Sequence, residues 1–306
     1  MPLASVAQDY PSRPIQFIVP YTPATTADVL ARLLGPRITQ RWNQAVVVEN
    51  KAGAGGLIGA ESAAKAAPDG YTFLFVATSY GTLPAMTAKM PYDPVRSFTP
   101  VALLGTSAMT LVVNPQVPAN NLREFIELAK KQPGKVNYAS PGSGSSQQLA
   151  MELFKQEAGI HLVHIPYKGS AGAMNDLVGG HVQAGVVSLQ TASNFVQAGK
   201  LRMLGVMSGE RAASLPNVPT FREAGFPKMR VETWYGVLAP AGTPAPIVNK
   251  MNAELNELLQ LPEIRDAMAK QGVDPAGGTP ERMGTLLRDE LKLWSDVVRR
   301  GKITAD

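Results

Sequence analysis

Short apolar runs alternate with segments of helical periodicity as far as residue 206, and this alternation restricts the fold more than any other feature of the chain. Ile15-Gln16-Phe17-Ile18-Val19, closed by Pro20, reads as a buried strand. Val29, Leu30, Leu33, Leu34 and Ile38 then recur at helical spacing, with Pro36 expected to end or bend the helix. Strands follow at Val46–Val48 and Tyr71–Ala77 around an Ala-rich helix from Gly56 to Ala67. The pattern resumes with strands at Leu111–Val113, Val136–Ala139, Leu162–Ile165, Val182–Ser188 and Arg202–Val206. The helices between them are expected at Leu122–Lys131, Ser146–Ala158 and Ala171–Val178. Such alternation means parallel βαβ units with helices on both faces of a sheet, an α/β fold. After Trp234–Pro240 the pattern changes to three helices, Ala245–Leu259, Pro262–Gln271 and Pro280–Arg299. Without strands of their own they must pack on a sheet made earlier. The expected organisation is therefore a discontinuous first domain, 1–107 plus 230–306, and a second domain, 108–229.

With 306 residues the chain has room for two cores, and 45% hydrophobic residues is an ordinary globular content. No uncharged stretch is long enough to read as a transmembrane helix. The 29 basic and 24 acidic side chains leave a formal charge of +5, a mild steering field for anionic ligands that is too dispersed for nucleic acid. The basic group Arg299-Arg300-Gly301-Lys302 reads as a solvated tail. The absence of cysteine removes disulfides, zinc–thiolate sites and thiol nucleophiles. Residues Met1–Tyr10 lack the basic and apolar regions of a complete signal peptide, and fit either a mature end carrying a new Met or a cytoplasmic start.

Two hydroxyl-rich turns follow apolar strands: Tyr21-Thr22-Pro23-Ala24-Thr25-Thr26-Ala27-Asp28 and Ser140-Pro141-Gly142-Ser143-Gly144-Ser145-Ser146-Gln147. Each leads into a helix, whose first N–H groups and partial positive charge suit an anion. Two such turns predict a cleft that grips an anionic small molecule from both sides. Thr25-Thr26-Ala27-Asp28 also fits the Thr-x-x-Asp capping box, so Asp28 is expected to order its loop, while Thr25 and Thr26 suit either a cap or a ligand. In the second turn Ser143, Ser145, Ser146 and Gln147 offer more donors than capping needs, and Gly142 and Gly144 allow close backbone approach.

Further polar groups follow strand ends: Thr78, Ser79 and Tyr80; Tyr167 and Lys168; Ser188 and Gln190. In open α/β sheets, ligands bind beyond the carboxyl ends of strands. Lys168 suits either a carboxylate or solvent. Tyr21, Tyr80 and Trp234 are candidate walls, with interdomain packing the alternative for Trp234.

Enzyme templates fail. Gly134-Lys135, Gly199-Lys200 and Gly301-Lys302 all lack the hydroxyl residue of a Walker A loop. Gly53-Ala54-Gly55-Gly56-Leu57-Ile58 misses the dinucleotide spacing at Ile58, and Ser140 has Tyr138 where a nucleophile elbow needs Gly. His161 and His164 sit at an odd offset on a strand and face opposite ways, so neither a shared metal nor any cofactor is expected.

The chain resembles the Bug family of periplasmic solute-binding receptors, which serve tripartite tricarboxylate transporters. The matching segments include Tyr10-Pro11-Ser12-Arg13-Pro14-Ile15, Val48-Glu49-Asn50-Lys51-Ala52-Gly53-Ala54-Gly55-Gly56, Pro68-Asp69-Gly70-Tyr71-Thr72 and Gly142-Ser143-Gly144-Ser145-Ser146. Val163-His164-Ile165-Pro166-Tyr167-Lys168-Gly169, Leu215-Pro216-Asn217-Val218-Pro219-Thr220 and Trp234-Tyr235-Gly236 extend the match over nearly all of the chain after residue 10. The resemblance implies a two-domain periplasmic-binding fold of type II, closing by a hinge over a carboxylate in the interdomain cleft, and no catalysis. It implies a periplasmic location and ligand contacts from Tyr21–Thr26 and Gly142–Gln147, Gly144 among them; Ser140, at the start of the second turn, is a further candidate. It also implies a small-molecule carboxylate and transient membrane subunits as partners of a monomer. One departure stands out: the family's Pro-Gly-Gly-type loop is here Pro23-Ala24-Thr25, without glycine. Tyr80, where smaller residues are usual, motivates an aromatic ligand of the phthalate type, with aliphatic dicarboxylates as the alternative. Two other classes compete. An enzyme would need a base or nucleophile not found here, and a transcription regulator would need a DNA-binding helix pair before the first strand.

Overall fold

The computed structural model describes residues 10–211 and 215–303; the Met1–Tyr10 leader expectation falls almost wholly outside them. The elements in chain order are β1 (Ile15–Val19), α1 (Thr26–Trp42), β2 (Val46–Asn50), α2 (Leu57–Ala64), β3 (Thr72–Ala77), α3 (Ser79–Met86) and β4 (Phe98–Val113). Next come α4 (Leu122–Lys131), β5 (Asn137–Ser140), α5 (Ser146–Ala158), β6 (Val163–Pro166), α6 (Ser170–Gly179), β7 (Ala184–Ser188), α7 (Leu189–Gln197) and β8 (Arg202–Val206). The chain ends with β9 (Glu232–Pro240), α8 (Ala245–Leu258), α9 (Pro262–Lys270), β10 (Asp274–Pro275) and α10 (Pro280–Gly301).

The chain forms two compact units. Unit 1 holds the residues through Tyr80, Lys89–Gly105 and Trp234–Asp289. Its strands run in the order β2-β1-β3-β9-β4, with β10 on the far side of β4. β1 pairs parallel with β2 and β3, whereas β9 runs antiparallel to β3. Its core joins Phe17, Phe73 and Phe75 from the sheet to Leu30, Leu34 and Ile38 of α1 and Met251 and Leu255 of α8. Pro36 does not end α1, which runs on to Trp42. Pro36 and Arg32 are exposed, so the carbonyl that loses its N–H partner faces water, while Leu34 and Ile38 hold the buried face.

Unit 2 holds Gly81–Ala88, Thr106–Thr233 and the chain from Glu290 onward. The second half of β4 lies between β8 and β7, both antiparallel to it, and β5 and β6 continue the sheet in parallel. Each unit therefore contains antiparallel pairings where the alternation predicts parallel ones, because β4 and β9 are long strands rather than the short runs expected.

The expected first domain, 1–107 plus 230–306, needs correction at its end. The last helix changes units at Glu290. Trp294 and Val297 pack with Phe125, Phe154 and Phe221 in the unit 2 core, and Gln156 Nε2 donates to Val297 O at 3.0 Å. Residues 81–88 also belong to unit 2, where Ala85 and Met86 pack on that core. Arg299 and Arg300 are not in a tail but in the final turns of α10, where Arg299 pairs with Asp296 at 2.7 Å.

Candidate solute-binding site

In unit 1 the turn after β1 is organised by Asp28, which is 3% exposed. Its Oδ2 accepts from Ala24 N at 2.9 Å, and its Oδ1 from Asn50 Nδ2 at 2.8 Å and Arg32 Nε at 3.0 Å. Burial pushes this carboxyl up, but those donors outweigh it and hold the group below its ordinary range. Asp28 thus orders the loop, reaching one residue beyond the N-cap. Thr25 is the N-cap by backbone conformation, yet its hydroxyl donates to Thr22 O at 3.0 Å and caps nothing. The first-turn N–H groups of α1 therefore carry no side-chain cap. Thr26 shares a hydrogen bond with Tyr235, whose hydroxyl burial pushes up.

The glycine-free turn leaves a mark on the backbone. Ala24 sits at φ +67°, in the left-handed region that costs a residue with a Cβ about 1–2 kcal/mol. Ala24→Gly is expected to stabilise the protein by about 0.5–1 kcal/mol in urea denaturation, the relief exceeding the entropy that glycine adds to the unfolded chain. A loss of stability would show the turn to be unstrained.

Tyr21 ties strand ends together. Its hydroxyl accepts from Ala77 N at 3.0 Å and Ser79 Oγ at 2.8 Å, and its carbonyl accepts from Asn50 Nδ2 at 3.1 Å. Burial raises its pKa. A Cβ on Gly56, at φ +108°, would lie 3.3 Å from the Tyr21 ring, which explains the glycine there. Three expected contacts in this unit are instead buried. Thr78 Oγ1 accepts from Trp234 N at 2.8 Å, clipping β9 to the end of β3. Trp234 is 1% exposed. Tyr80 is 3% exposed, its ring stacks on Tyr92 at 6.0 Å and meets Phe98 edge-on, and its hydroxyl donates to Pro94 O at 2.8 Å. Aromatic and polar residues at strand ends look alike in sequence whether they face a solute or their own backbone.

In unit 2 a relay of hydrogen bonds shapes the Gly/Ser turn. Gly144 N donates to Gln148 Oε1 at 2.7 Å, so the Gln148 amide nitrogen is the donor to His164 Nδ1 at 3.1 Å. His164 then carries its proton on Nε2, donating to Ser140 Oγ at 2.6 Å, and Ser140 donates to Gly142 O at 3.1 Å. Ser140 is therefore a buried part of the turn rather than a surface donor. Gln148 and His164 complete the turn but were not legible as site residues, because a lone polar residue on a helix or strand reads as a satisfied core group. Ser145 caps α5, its Oγ accepting from Gln148 N at 3.3 Å, and its hydroxyl proton stays available. Ser146 donates to Gln147 Oε1 at 3.2 Å, which aligns the Gln147 amide and leaves its NH₂ without a partner among the described residues. Gly144 adopts φ +80° with its Cβ position 3.1 Å from Met86 Sδ.

The hydroxyl of half-buried Tyr167 donates to Asp176 at 2.5 Å, and desolvation together with that carboxylate pushes it up to about 12. Lys168 is exposed, and among the described residues no carboxylate pairs with it. Ser188 caps α7 by accepting from Thr191 N at 3.3 Å and shares a hydroxyl bond with Thr191 at 2.8 Å. Gln190 is exposed in the first turn of α7. Gln147 and Ser188 help line a pocket of about 330 Å³ at the carboxyl ends of β5 and β7, together with Ser170, Thr191, Met174 and Leu177. Ser170 opens α6 and Thr191 lies in the first turn of α7, beside the polar groups expected at Tyr167, Lys168, Ser188 and Gln190. Met174 and Leu177 carry only the core signature of an amphipathic helix.

Both turns are rich in hydrogen-bond donors, and among the described residues no group of three or more acidic, histidine or cysteine side chains is placed to hold a metal. Two α/β units with donor-rich strand-to-helix turns have the arrangement of a small-solute-binding protein. Residues 30–302 match the model of the tripartite tricarboxylate transporter family receptor, and the chain belongs to that family. Protein BugT of Bordetella pertussis is 38% identical over 295 residues, covering 96% of this chain and 90% of its own length. The structure of R. palustris Rpa4515 with adipate is 32% identical, with a TM-score of 0.78 over 97% of this chain and all of the other. MatC (Rpa3494) from Rhodopseudomonas palustris with bound malate is 31% identical, with a TM-score of 0.74 over 94% of this chain and all of the other. The fold is thus the two-domain periplasmic-binding fold of type II, and the chain is a solute-binding receptor, not an enzyme.

Proposed function

We propose that this chain is an extracytoplasmic receptor that binds a carboxylate in the periplasm and delivers it, as a monomer, to the membrane subunits of a tripartite transporter. The observation that carries the reading is the pair of turns opening α1 and α5, whose available donors suit a carboxylate, in a member of a family with adipate- and malate-bound relatives. Among the described residues no helix is long and apolar enough to cross a membrane.

The phthalate-type expectation rested on Tyr80, and a ring enclosed by Tyr92 and Phe98 offers no stacking face. Aliphatic dicarboxylates are therefore the better-supported ligands. From unit 1 the solute meets the uncapped backbone N–H groups at the start of α1, around Thr25 and Thr26, and from unit 2 it meets Ser145, Ser146, Gln147, Lys168 and Ser188. A thermal-shift panel of adipate, malate and phthalate tests the ranking. Adipate or malate is expected to raise the melting temperature more than phthalate at equal concentration. A larger shift with phthalate would restore the aromatic reading.

A further inference from the structure

We propose that the unit 2 pocket is a hydrocarbon subsite, which takes the methylene body of the solute while its carboxylates, one or two, stay at the rim, and that α6 sets which solutes fit. The inference rests on the carboxylate-receptor reading and goes beyond it by naming where the rest of the solute goes.

The pocket's composition is divided. Of its lining residues Ala139, Ala173, Leu177 and Val186 are buried and, with half-buried Met174, make an apolar floor, whereas Gln147 and Ser188 are half-buried and Ser170 and Thr191 exposed, which places these polar groups at the rim. No charged side chain lines it. A carboxylate driven to the floor would lose its hydration with nothing to replace it. At the rim it meets the Gln147 NH₂ and the Ser170 hydroxyl, both without partners among the described residues. The volume of about 330 Å³ reaches the size of ordinary ligand pockets, and is about twice that of a dry cavity known to hold benzene. It is therefore roomy enough for a six-carbon chain or a ring.

Small residues create the space. Gly185 lies so close to α6 that a Cβ there would sit 3.2 Å from Leu177 Cδ2, which lets the helix settle on the sheet beside the pocket. Ala139 and Ala173 then leave the floor open, and half-buried Met174 is an unbranched side chain able to conform to different bodies. A purely structural packing defect would have no polar rim. A site for a small, fully hydrated anion would have no apolar floor.

Titration calorimetry with butyrate, hexanoate, benzoate and adipate tests the assignment. In the unaltered protein affinity should rise about fourfold for each methylene from butyrate to hexanoate, the factor set by burying a CH₂ group. The heat-capacity change of binding should become more negative along the series. Ala173→Leu, which fills the floor, should flatten both trends. Ala171→Leu, at an exposed position on the pocket's margin, should reduce hexanoate affinity with little risk to folding. Hexanoate binding that exceeds benzoate binding assigns a chain, and the reverse assigns a ring. If adipate binds while the methylene increment is absent, or is untouched by both substitutions, the subsite is overturned and the receptor reading stands. If no carboxylate binds, the receptor reading fails and this inference with it.

Discussion

Trp294→Ala is expected to destabilise unit 2 by about 3–5 kcal/mol, the largest single effect foreseen in this chain. The indole is fully buried and packs in the same core as Phe125, Phe154 and Phe221. Its Nε1 donates to Glu290 Oε2 at 2.6 Å, and Glu290 is itself buried. Removing the ring opens a cavity and takes a donor from a carboxylate that has little access to water. Hydrogen exchange would locate the damage: amides of α5 and β5 should lose protection well before those of β1 and β3. Trp294→Phe, which keeps most of the volume but not the N–H, should cost less. A change under about 1 kcal/mol for the alanine variant, or a loss of protection confined to unit 1, would contradict the assignment of the end of α10 to unit 2.

Asp28→Ala is expected to cost about 2–3 kcal/mol. The side chain serves Ala24 N, Asn50 Nδ2 and Arg32 Nε at once. Arg32 is half exposed and Ala24 lies at the surface, so water takes over part of what they lose, and the Asn50 amide bears most of the penalty. Because Asn50 also holds the Tyr21 carbonyl, the damage should spread to the turn proposed to contact the solute. The same group gives stability a pH dependence. Its folded pKa lies below the unfolded one, so its contribution is complete above the unfolded value and is lost as pH falls through the folded one. Acid titration of stability should therefore be shallower in Asp28→Ala than in the unaltered protein at the low-pH end. Equal slopes would remove Asp28 from the account.

Much of the architecture was legible because period and punctuation are local properties. Pro20, the Pro68-Asp69-Gly70 turn and the Pro133-Gly134 pair mark element ends that the structure keeps. The starts of α1 at Thr26 and α5 at Ser146 fall where the hydroxyl-rich turns place them. Helix α3 was hidden because Pro84 lies within it and Thr78-Ser79-Tyr80 has the look of a loop. Strand β4 was underestimated because Pro100 and Gly105 interrupt its apolar run. The end of α10 was assigned to the wrong unit because an amphipathic face announces that it is buried, not which core buries it. The same limit applies to the site. Thr78, Ser140 and the Tyr167 hydroxyl have the right chemistry to meet a solute, but each is engaged by a partner far away in sequence or across a turn. Thr26, Ser145 and Gln147 stand at helix starts, where donors follow from local backbone geometry, so the contacts proposed there are ones the sequence suggests directly.

The central claim, that the chain binds a carboxylate as such, is tested most directly by melting the protein with adipate and with adipamide, which has nearly the same shape and no charge. Adipate at a hundred times its dissociation constant should add about 2.7 kcal/mol of stability, a rise of roughly 5–10 °C, and should be recovered unchanged; adipamide should add almost nothing. Equal shifts with both compounds, or no shift with adipate, malate or any carboxylate of the panel, would contradict the account.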